Sequence, residues 1–234
     1  MHKKRHAGER HLPHDLKILH EDKDLLVVDK PAGLLTMGTD THKTVTAYYI
    51  LTDYVKKGVL KSRNRIFIVH RLDQWTSGVL LFAKSEDVKE RLKDQWKQTE
   101  KKYLALVHGH WIQKEGILTS YLAENKAYVV YSTKDTEKGK LAQTAYKVLK
   151  EIGPFSLLEI TLLTGRKNQV RVQMADHGHP VVGDRKYGKS DDGCKRLLLH
   201  AQSISFPHPV TGKPLTVQSR VPNAFNELIK RSAP

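Results

Sequence analysis

A single acidic side chain, Asp73, lies in a short polar segment between two apolar runs of the sequence. The runs are residues 66–69 and 79–83, and their length and composition are typical of buried strands. A loop held by two rigid strands is a frequent location for catalytic groups, because the scaffold fixes their geometry. An ionised aspartate can act there as a nucleophile or as a general base. The sequence therefore predicts chemistry at Asp73.

The sequence predicts many strands and few helices, and these elements must position the loop. The clearest helix is predicted over residues 85–102, where Val88, Leu92 and Trp96 recur on one face. Runs of strands with few helices between them favour an α+β fold with a largely antiparallel sheet. The other predicted helices are residues 44–56, 168–177 and 223–230. The predicted strands are residues 25–28, 66–69, 79–83, 103–107, 117–122, 127–131, 142–149, 155–163, 197–206 and 215–221.

The chain is strongly basic. It has 234 residues, with 40 lysines and arginines against 25 acids and a net charge of +15 at pH 7. Such an excess favours a polyanionic partner, most often nucleic acid. The single cysteine excludes an internal disulfide and fits a cytoplasmic location, and no apolar run approaches the ~20 residues that a membrane helix needs. We predict a flexible basic tail over residues 1–14 and a single catalytic domain over residues 15–234.

Four separate segments carry a resemblance to one family. They read LLVVDKPAG (25–33), HRLDQWTSG (70–78), KKYLALVHG (101–109) and LLTGRKNQVRVQMADHGHPVVGDRKYG (162–188). In this order they resemble the RluA-type pseudouridine synthases, which isomerise uridine in RNA. The resemblance implies the pseudouridine synthase fold, a long bent sheet that is mixed and mostly antiparallel, with flanking helices and a central active-site cleft.

The same resemblance implies the reaction and its partner. Uridine would become pseudouridine in structured RNA, either tRNA or a stem-loop of large-subunit rRNA. The reaction gains and loses no atoms overall, so the resemblance implies no cofactor and no metal. It also implies that the small RNA-binding domain ahead of the catalytic domain in many relatives is absent. We expect RNA as the partner, neither DNA nor a membrane, and a monomer.

The resemblance assigns roles to particular residues. Asp73 is implied to be the catalytic acid. Tyr103 is implied to stack on the target uracil and to accept or relay the proton lost from C5, and Arg171 is implied to pair with Asp73. The implied RNA contacts are Arg71, Thr76 and Arg166.

The expected pair between Asp73 and Arg171 would keep the acid reactive. Burial raises the pKa of a carboxyl group, and an adjacent arginine opposes that effect. Two opposite charges 4 Å apart attract by ~4 kcal/mol at an effective dielectric constant of 20. We therefore expect Arg171 to hold the pKa of Asp73 down, so that activity falls only at acid pH.

Two alternatives of other classes stay open at this point. Residues 183–190, GDRKYGKS, match the phosphate-binding pattern GxxxxGK[ST], which would favour an ATPase or kinase. That pattern should open a helix, whereas residues 191–193 indicate a loop, and the strand that could supply a magnesium ligand, 25–29, precedes the pattern. The second alternative is a catalytically inactive module that binds RNA without isomerising it.

The chain departs from the family pattern near Arg171. Lys167-Asn168 stands where the family often has Thr-His, and Gln173 stands where it has His. We expect these differences to affect contacts with RNA more than the reaction. Trp75 occupies a variable position of the second motif, and both apolar packing and base stacking are open to it.

Overall fold

The chain forms a large mixed sheet with helices on its flanks. The computed structural model describes residues 10–38, 44–57, 59, 61–188 and 194–232. The α-helices in these ranges are α1 (Ala47–Lys56), α2 (Glu86–Asp94), α3 (Gln169–Asp176) and α4 (Asn223–Ser232). The strands are β1 (Arg10–His11), β2 (Lys17–Glu21), β3 (Leu25–Lys30), β4 (Phe67–Ile68), β5 (Ser77–Ala83), β6 (Glu100–His108), β7 (Glu115–Glu124), β8 (Val130–Thr133), β9 (Lys140–Ile152), β10 (Phe155–Leu162), β11 (Leu199–Pro207) and β12 (Pro214–Gln218).

All of these strands belong to one sheet. Its main path runs β1-β2-β3-β5-β11-β6-β10-β9-β7-β8, with β12 paired to β11 and β4 paired to β5. Neighbouring strands are antiparallel, with the exception of β5 and β11, which run parallel. The predicted α+β class with a mostly antiparallel mixed sheet is confirmed.

Strand β5 anchors the loop that carries Asp73, and it is buried along its whole length. Its alternate residues enter two apolar clusters: Leu80 and Phe82 pack on one face of the sheet, and Val79 and Leu81 pack on the other. Successive side chains of a strand point to opposite faces, so the sheet is covered on both faces here. The loop therefore leads directly into a strand that packing holds from both sides.

The helix predicted over residues 85–102 is too long. Helix α2 ends at Asp94, a 3-10 turn follows at Trp96–Gln98, and β6 already begins at Glu100. Strand β6 pairs with both β10 and β11. This central pairing outweighs the weak local preference of the segment for helix.

The strand predicted over residues 127–131 begins further along the chain in the structure. A turn precedes β8, in which Asn125 Oδ1 accepts hydrogen bonds from the N–H groups of Ala127 and Val129 at 2.9 and 3.0 Å. Asparagine commonly stabilises turns in this way. Strand β8 therefore begins only at Val130.

The N-terminal part of the described chain contains two strands that the sequence did not predict, β1 and β2. Residues 1–9 of the predicted tail lie outside the described residues, whereas Arg10–His11 pair with β2 at the edge of the sheet. No helix in the described ranges is long and apolar enough to cross a membrane.

Gly78 allows the parallel contact between β5 and β11, and we predict that Gly78→Ala destabilises the fold. A β-carbon at Gly78 would lie 2.1 Å from the carbonyl oxygen of Ala201, and the glycine has φ +111°. Overpacking and the unfavourable φ should together lower the free energy of unfolding by about 2–4 kcal/mol. Urea denaturation measures this loss. Gly165→Ala is the control, because nothing lies within 4 Å of its β-carbon. Equal stability of the two variants would contradict the packing argument.

Candidate active site

A cavity of about 480 Å³ opens beside the loop that carries Asp73. Asp73 is the one acidic residue in the part of the wall that the structure describes. Six basic residues line the same wall: Lys167, Arg171, Arg185, Lys186, Lys195 and Arg196. Lysine and arginine side chains are the usual contacts of nucleic-acid phosphates. The cavity therefore places one carboxylate inside a surface that attracts a polyanion.

Hydrogen bonds fix the loop around Asp73 to the segment that follows β3. The N–H of Gly33 donates to the carbonyl of Gln74 at 2.8 Å, and Gln74 Nε2 donates back to the carbonyl of Gly33 at 3.1 Å. On the other side of Asp73, Thr36 Oγ1 donates to the carbonyl of Leu72 at 2.9 Å. The backbone is thus held on both sides of the carboxylate, as a preorganised site requires.

Lys30 is a buried cation behind this loop that sequence reasoning did not single out. Its Nζ is fully enclosed and donates to the carbonyl oxygens of Pro31, Leu34 and Gln74 at 3.0, 2.7 and 3.0 Å. Three acceptors match the three N–H groups of an ammonium ion. Burial lowers the pKa of Lys30 to about 7, and the negative charge of Asp73 opposes that effect. The signal for Lys30 in the sequence was its position at the end of an apolar strand.

Arg171 lies on α3 at the cavity wall. Its main partner is Asp184, which sequence reasoning did not identify. Its Nε and Nη2 donate to the two carboxylate oxygens of Asp184 at 2.7 and 2.8 Å, and its Nη1 donates to Asn168 Oδ1 at 3.1 Å. The same Nη1 is 3.6 Å from Asp73 Oδ2. The expected pair between Arg171 and Asp73 is present, but it is the longer of the two ion pairs of this guanidinium group.

The pKa of Asp73 is raised above its ordinary value, which corrects the expectation of a lowered pKa, although Arg171 does act to lower it. Burial is the largest effect and raises the pKa, while the charges of Arg171 and Lys30 oppose it. The buried charge of Asp184 adds to the upward shift. Arg171 therefore limits the cost of burying the Asp73 carboxylate without cancelling it, because most of its charge is matched by Asp184.

Tyr103 lies on β6, close enough to Asp73 to respond to its charge. Its side chain is buried, with 7% of the residue exposed. Burial and the negative charge of Asp73 both raise the pKa of the Tyr103 hydroxyl. The structure therefore brings together Asp73, Tyr103 and Arg171, and it keeps the tyrosine in its protonated form at neutral pH.

The three residues expected to contact RNA lie outside the cavity lining. Arg71 and Arg166 are exposed, and Arg166 Nε donates to the carbonyl of Leu141 at 3.0 Å. Thr76 is buried, and its N–H closes the turn by donating to the carbonyl of Asp73 at 3.1 Å. RNA contacts by these three side chains stay predictions.

The segment that matches the phosphate-binding pattern has another structural use. Gly183 packs so closely that a β-carbon would lie 1.9 Å from the carbonyl oxygen of Arg196. The carboxylate of Asp184 accepts hydrogen bonds from the N–H groups of Lys186 and Tyr187 at 2.9 and 3.1 Å. Those N–H groups are therefore already occupied by a carboxylate. Lys189 and Ser190, which complete the pattern, lie outside the described residues.

Fold and site together place a half-buried carboxylate in a wall of cations that suits a polyanionic ligand. A family model described as RNA pseudouridylate synthase matches residues 24–176. The chain belongs to this family, and no comparison supports the ATPase alternative.

Curated relatives match nearly the whole chain. Ribosomal large subunit pseudouridine synthase C of Buchnera aphidicola subsp. Schizaphis graminum is 37% identical over an alignment of 216 positions, which covers 86% of this chain and 65% of the relative. The chain thus spans just under two thirds of that relative. The tRNA pseudouridine synthase C of Vibrio parahaemolyticus is 33% identical over an alignment of 243 positions, which covers 94% of this chain and 96% of the relative.

Solved structures support the fold. Human RNA pseudouridylate synthase domain containing 4 has a TM-score of 0.77 and 24% identity and covers 92% of each chain. Human RNA pseudouridylate synthase domain containing 1 has a TM-score of 0.70 and 23% identity and covers 94% of this chain and 96% of its own. The predicted family and its fold are confirmed.

We predict that Lys30→Met destabilises the protein by about 2–4 kcal/mol, because the carbonyl groups of Pro31, Leu34 and Gln74 lose the hydrogen bonds that Lys30 Nζ donates. Methionine keeps most of the volume, so the loss reports on the hydrogen bonds and not on a cavity. Urea denaturation measures it. Lys93→Met, which removes an exposed lysine paired with Glu90 on α2, should leave stability almost unchanged. If Lys30→Met is as stable as the wild type, Lys30 does not hold the loop.

Proposed function

We propose that this chain isomerises uridine to pseudouridine in structured RNA, with the carboxylate of Asp73 as the catalytic group. The observation that carries the proposal is the position of Asp73, a partly accessible carboxylate in a wall of cations. Its side chain is 28% exposed, whereas that of Asp184 is fully buried and held by Arg171. Of these two acids, Asp73 is the one that a substrate in the cavity can reach.

The reaction breaks the bond between uracil N1 and the sugar carbon C1′ and then joins C5 of the same base to C1′. C5 loses a proton and N1 gains one, so atoms balance without an added reagent. Asp73 can attack C1′ or remove a proton from the neighbouring sugar carbon. Both routes need the ionised carboxylate. Arg171 and Lys30 supply the positive charge that favours this form inside the cavity.

Tyr103 supports the base during its rotation in this proposal. The uridine must leave its stack to reach the carboxylate, which costs a few kcal/mol, and an aromatic ring returns ~1–3 kcal/mol per base. Because the hydroxyl keeps its proton at neutral pH, we propose that Tyr103 acts by stacking and by relaying a proton, not as a standing phenolate base. The basic residues of the wall would hold the flanking phosphates.

The RNA class is the finer part of the proposal. The relatives named above are called a ribosomal large subunit pseudouridine synthase and a tRNA pseudouridine synthase, which supports large-subunit rRNA or tRNA as the substrate. Mapping pseudouridine across total RNA from cells with and without the gene identifies the site. The single cysteine supports a cytoplasmic location, and the monomeric state stays a prediction.

We predict that Asp73→Asn abolishes isomerisation and also stabilises the fold. The substrate is RNA with C5-labelled uridine from cells that lack the gene. The variant should release tritium from it about a thousandfold or more slowly than the wild type does. Because the folded pKa of Asp73 lies above its unfolded value, the unfolded chain loses its proton first as pH rises, and wild-type stability falls across that window. Asparagine avoids this cost at neutral pH, and the difference should vanish below the ordinary pKa of aspartate.

Asp87→Asn is the matched control for this variant, because Asp87 forms an exposed pair with Arg91 on α2. It should leave both the rate and the stability nearly unchanged. Turnover by folded Asp73→Asn would refute the catalytic assignment. A folded wild type that binds RNA without releasing tritium would favour the inactive RNA-binding alternative.

We predict that two changes beside Asp73 shift the pH profile in opposite directions. Asp184→Asn removes a buried negative charge, so the pKa of Asp73 and the acidic limb of the rate should move down. Arg171→Met combined with Asp184→Asn removes the cation without leaving a buried charge unpaired, so the limb should move toward neutral.

The measurement for both variants is the single-turnover rate of tritium release against pH at saturating enzyme. RNA affinity is determined separately at two salt concentrations. If the double variant loses only affinity and salt dependence while its pH profile matches the wild type, Arg171 is a phosphate contact.

A further inference from the structure

Trp75 is a large aromatic residue of the cavity wall that the proposed reaction leaves unused. It follows Asp73 by two residues, is 48% exposed and lines the cavity. An exposed aromatic ring in a basic groove is typical of sites that stack nucleobases. We propose that Trp75 is a binding subsite for an unpaired nucleobase next to the reactive uridine. This subsite rests on the proposed function, because it needs RNA in the cavity.

The backbone that carries Trp75 is fixed in the free protein. The preceding residue, Gln74, exchanges two hydrogen bonds with Gly33, and its carbonyl also accepts a hydrogen bond from Lys30 Nζ at 3.0 Å. The turn from Asp73 to Thr76 is closed by a hydrogen bond of 3.1 Å. A preorganised side chain loses little freedom when a ligand binds.

The ring of Trp75 packs in part against Gly33, and about half of the residue is exposed. A β-carbon at Gly33 would lie 3.4 Å from Cζ3 and 3.9 Å from Cε3 of the indole, so the ring lies against the Gly33 backbone. Trp75 also lines the cavity, so part of its exposed surface is open to a ligand there. Cations lie over three other aromatic rings, but none of the described residues places one over Trp75. This surface is therefore available to a base.

The chemistry of the reaction creates a ligand for such a surface. When the uridine flips into the cavity, the base next to it loses a stacking partner. An aromatic ring at the edge of the cavity can replace that partner, and Lys195 and Arg196 on the same wall can hold the phosphates between the two nucleotides. Stacking is tolerant of base identity, so the subsite should strengthen binding more than it selects a sequence.

The test is a cycle that combines a change in the protein with a change in the RNA. The probes are a short oligouridylate and an abasic ribose-phosphate chain of equal length, and the dissociation constant of each is measured for wild type, Trp75→Leu and Trp75→Phe. Trp75→Leu should weaken oligouridylate binding about five- to a hundredfold and leave abasic binding almost unchanged. Trp75→Phe should retain much of the affinity. Quenching of tryptophan fluorescence by oligouridylate should be largely lost in Trp75→Leu.

Tyr49→Leu is the control, because Tyr49 is 51% exposed and lines a different groove. It should change neither affinity. If Trp75→Leu weakens both probes equally, or neither, the ring does not stack on a base and the proposal is overturned. Tritium release by the wild type is measured in parallel, so failure of the isomerase proposal appears there and not in the binding cycle.

Discussion

The structure depends on keeping one half-buried carboxylate, that of Asp73, charged in the wall of the cavity. The proposed catalytic role of Asp73 requires its ionised form, and burial works against ionisation. A direct bidentate pair would solve this problem but would also occupy the oxygens that the substrate needs. Arg171 instead gives its two short contacts to Asp184 and approaches Asp73 at 3.6 Å. The anchored cation supplies positive charge without occupying the oxygens of Asp73. Burial raises the pKa of Asp73, and Arg171 lowers it only in part.

This arrangement needs a rigid frame on both sides of the cavity. On one side, β5 is packed on both faces of the sheet and the loop before it is bonded to Lys30 and Gly33. On the other side, Gly183 allows its segment to approach the backbone of Arg196, which places Asp184 beneath Arg171. Loop and helix therefore reach the site from separate parts of the sheet, and neither depends on the substrate for its position.

The sequence predicted the family, the fold class and the meeting of Asp73, Tyr103 and Arg171, because the motifs that carry these residues are long and specific. It did not predict the length of α2, since pairing of β6 in the centre of the sheet is a non-local effect. It missed Asp184 because a charged residue in a loop usually faces solvent, and only the fold places it under Arg171. It missed Lys30 for the same reason: three carbonyl acceptors, one of them 44 residues away, cannot be inferred from spacing.

The sequence also could not show whether the pKa of Asp73 is raised or lowered. A motif indicates which arginine faces the acid, but not how the charge of that arginine is divided between two partners. The outcome is a balance of burial, Arg171, Lys30 and Asp184, and Asp184 entered only with the structure.

The central claim is that the free enzyme holds Asp73 as a carboxylate with a raised pKa. A carbon-13 NMR titration of aspartate-labelled protein tests it directly, with the Asp73→Asn spectrum used to assign the carboxyl signal. The account predicts a midpoint above the ordinary value of 3.8. A midpoint at or below that value would show that Arg171 and Lys30 outweigh burial and would contradict the account of the site.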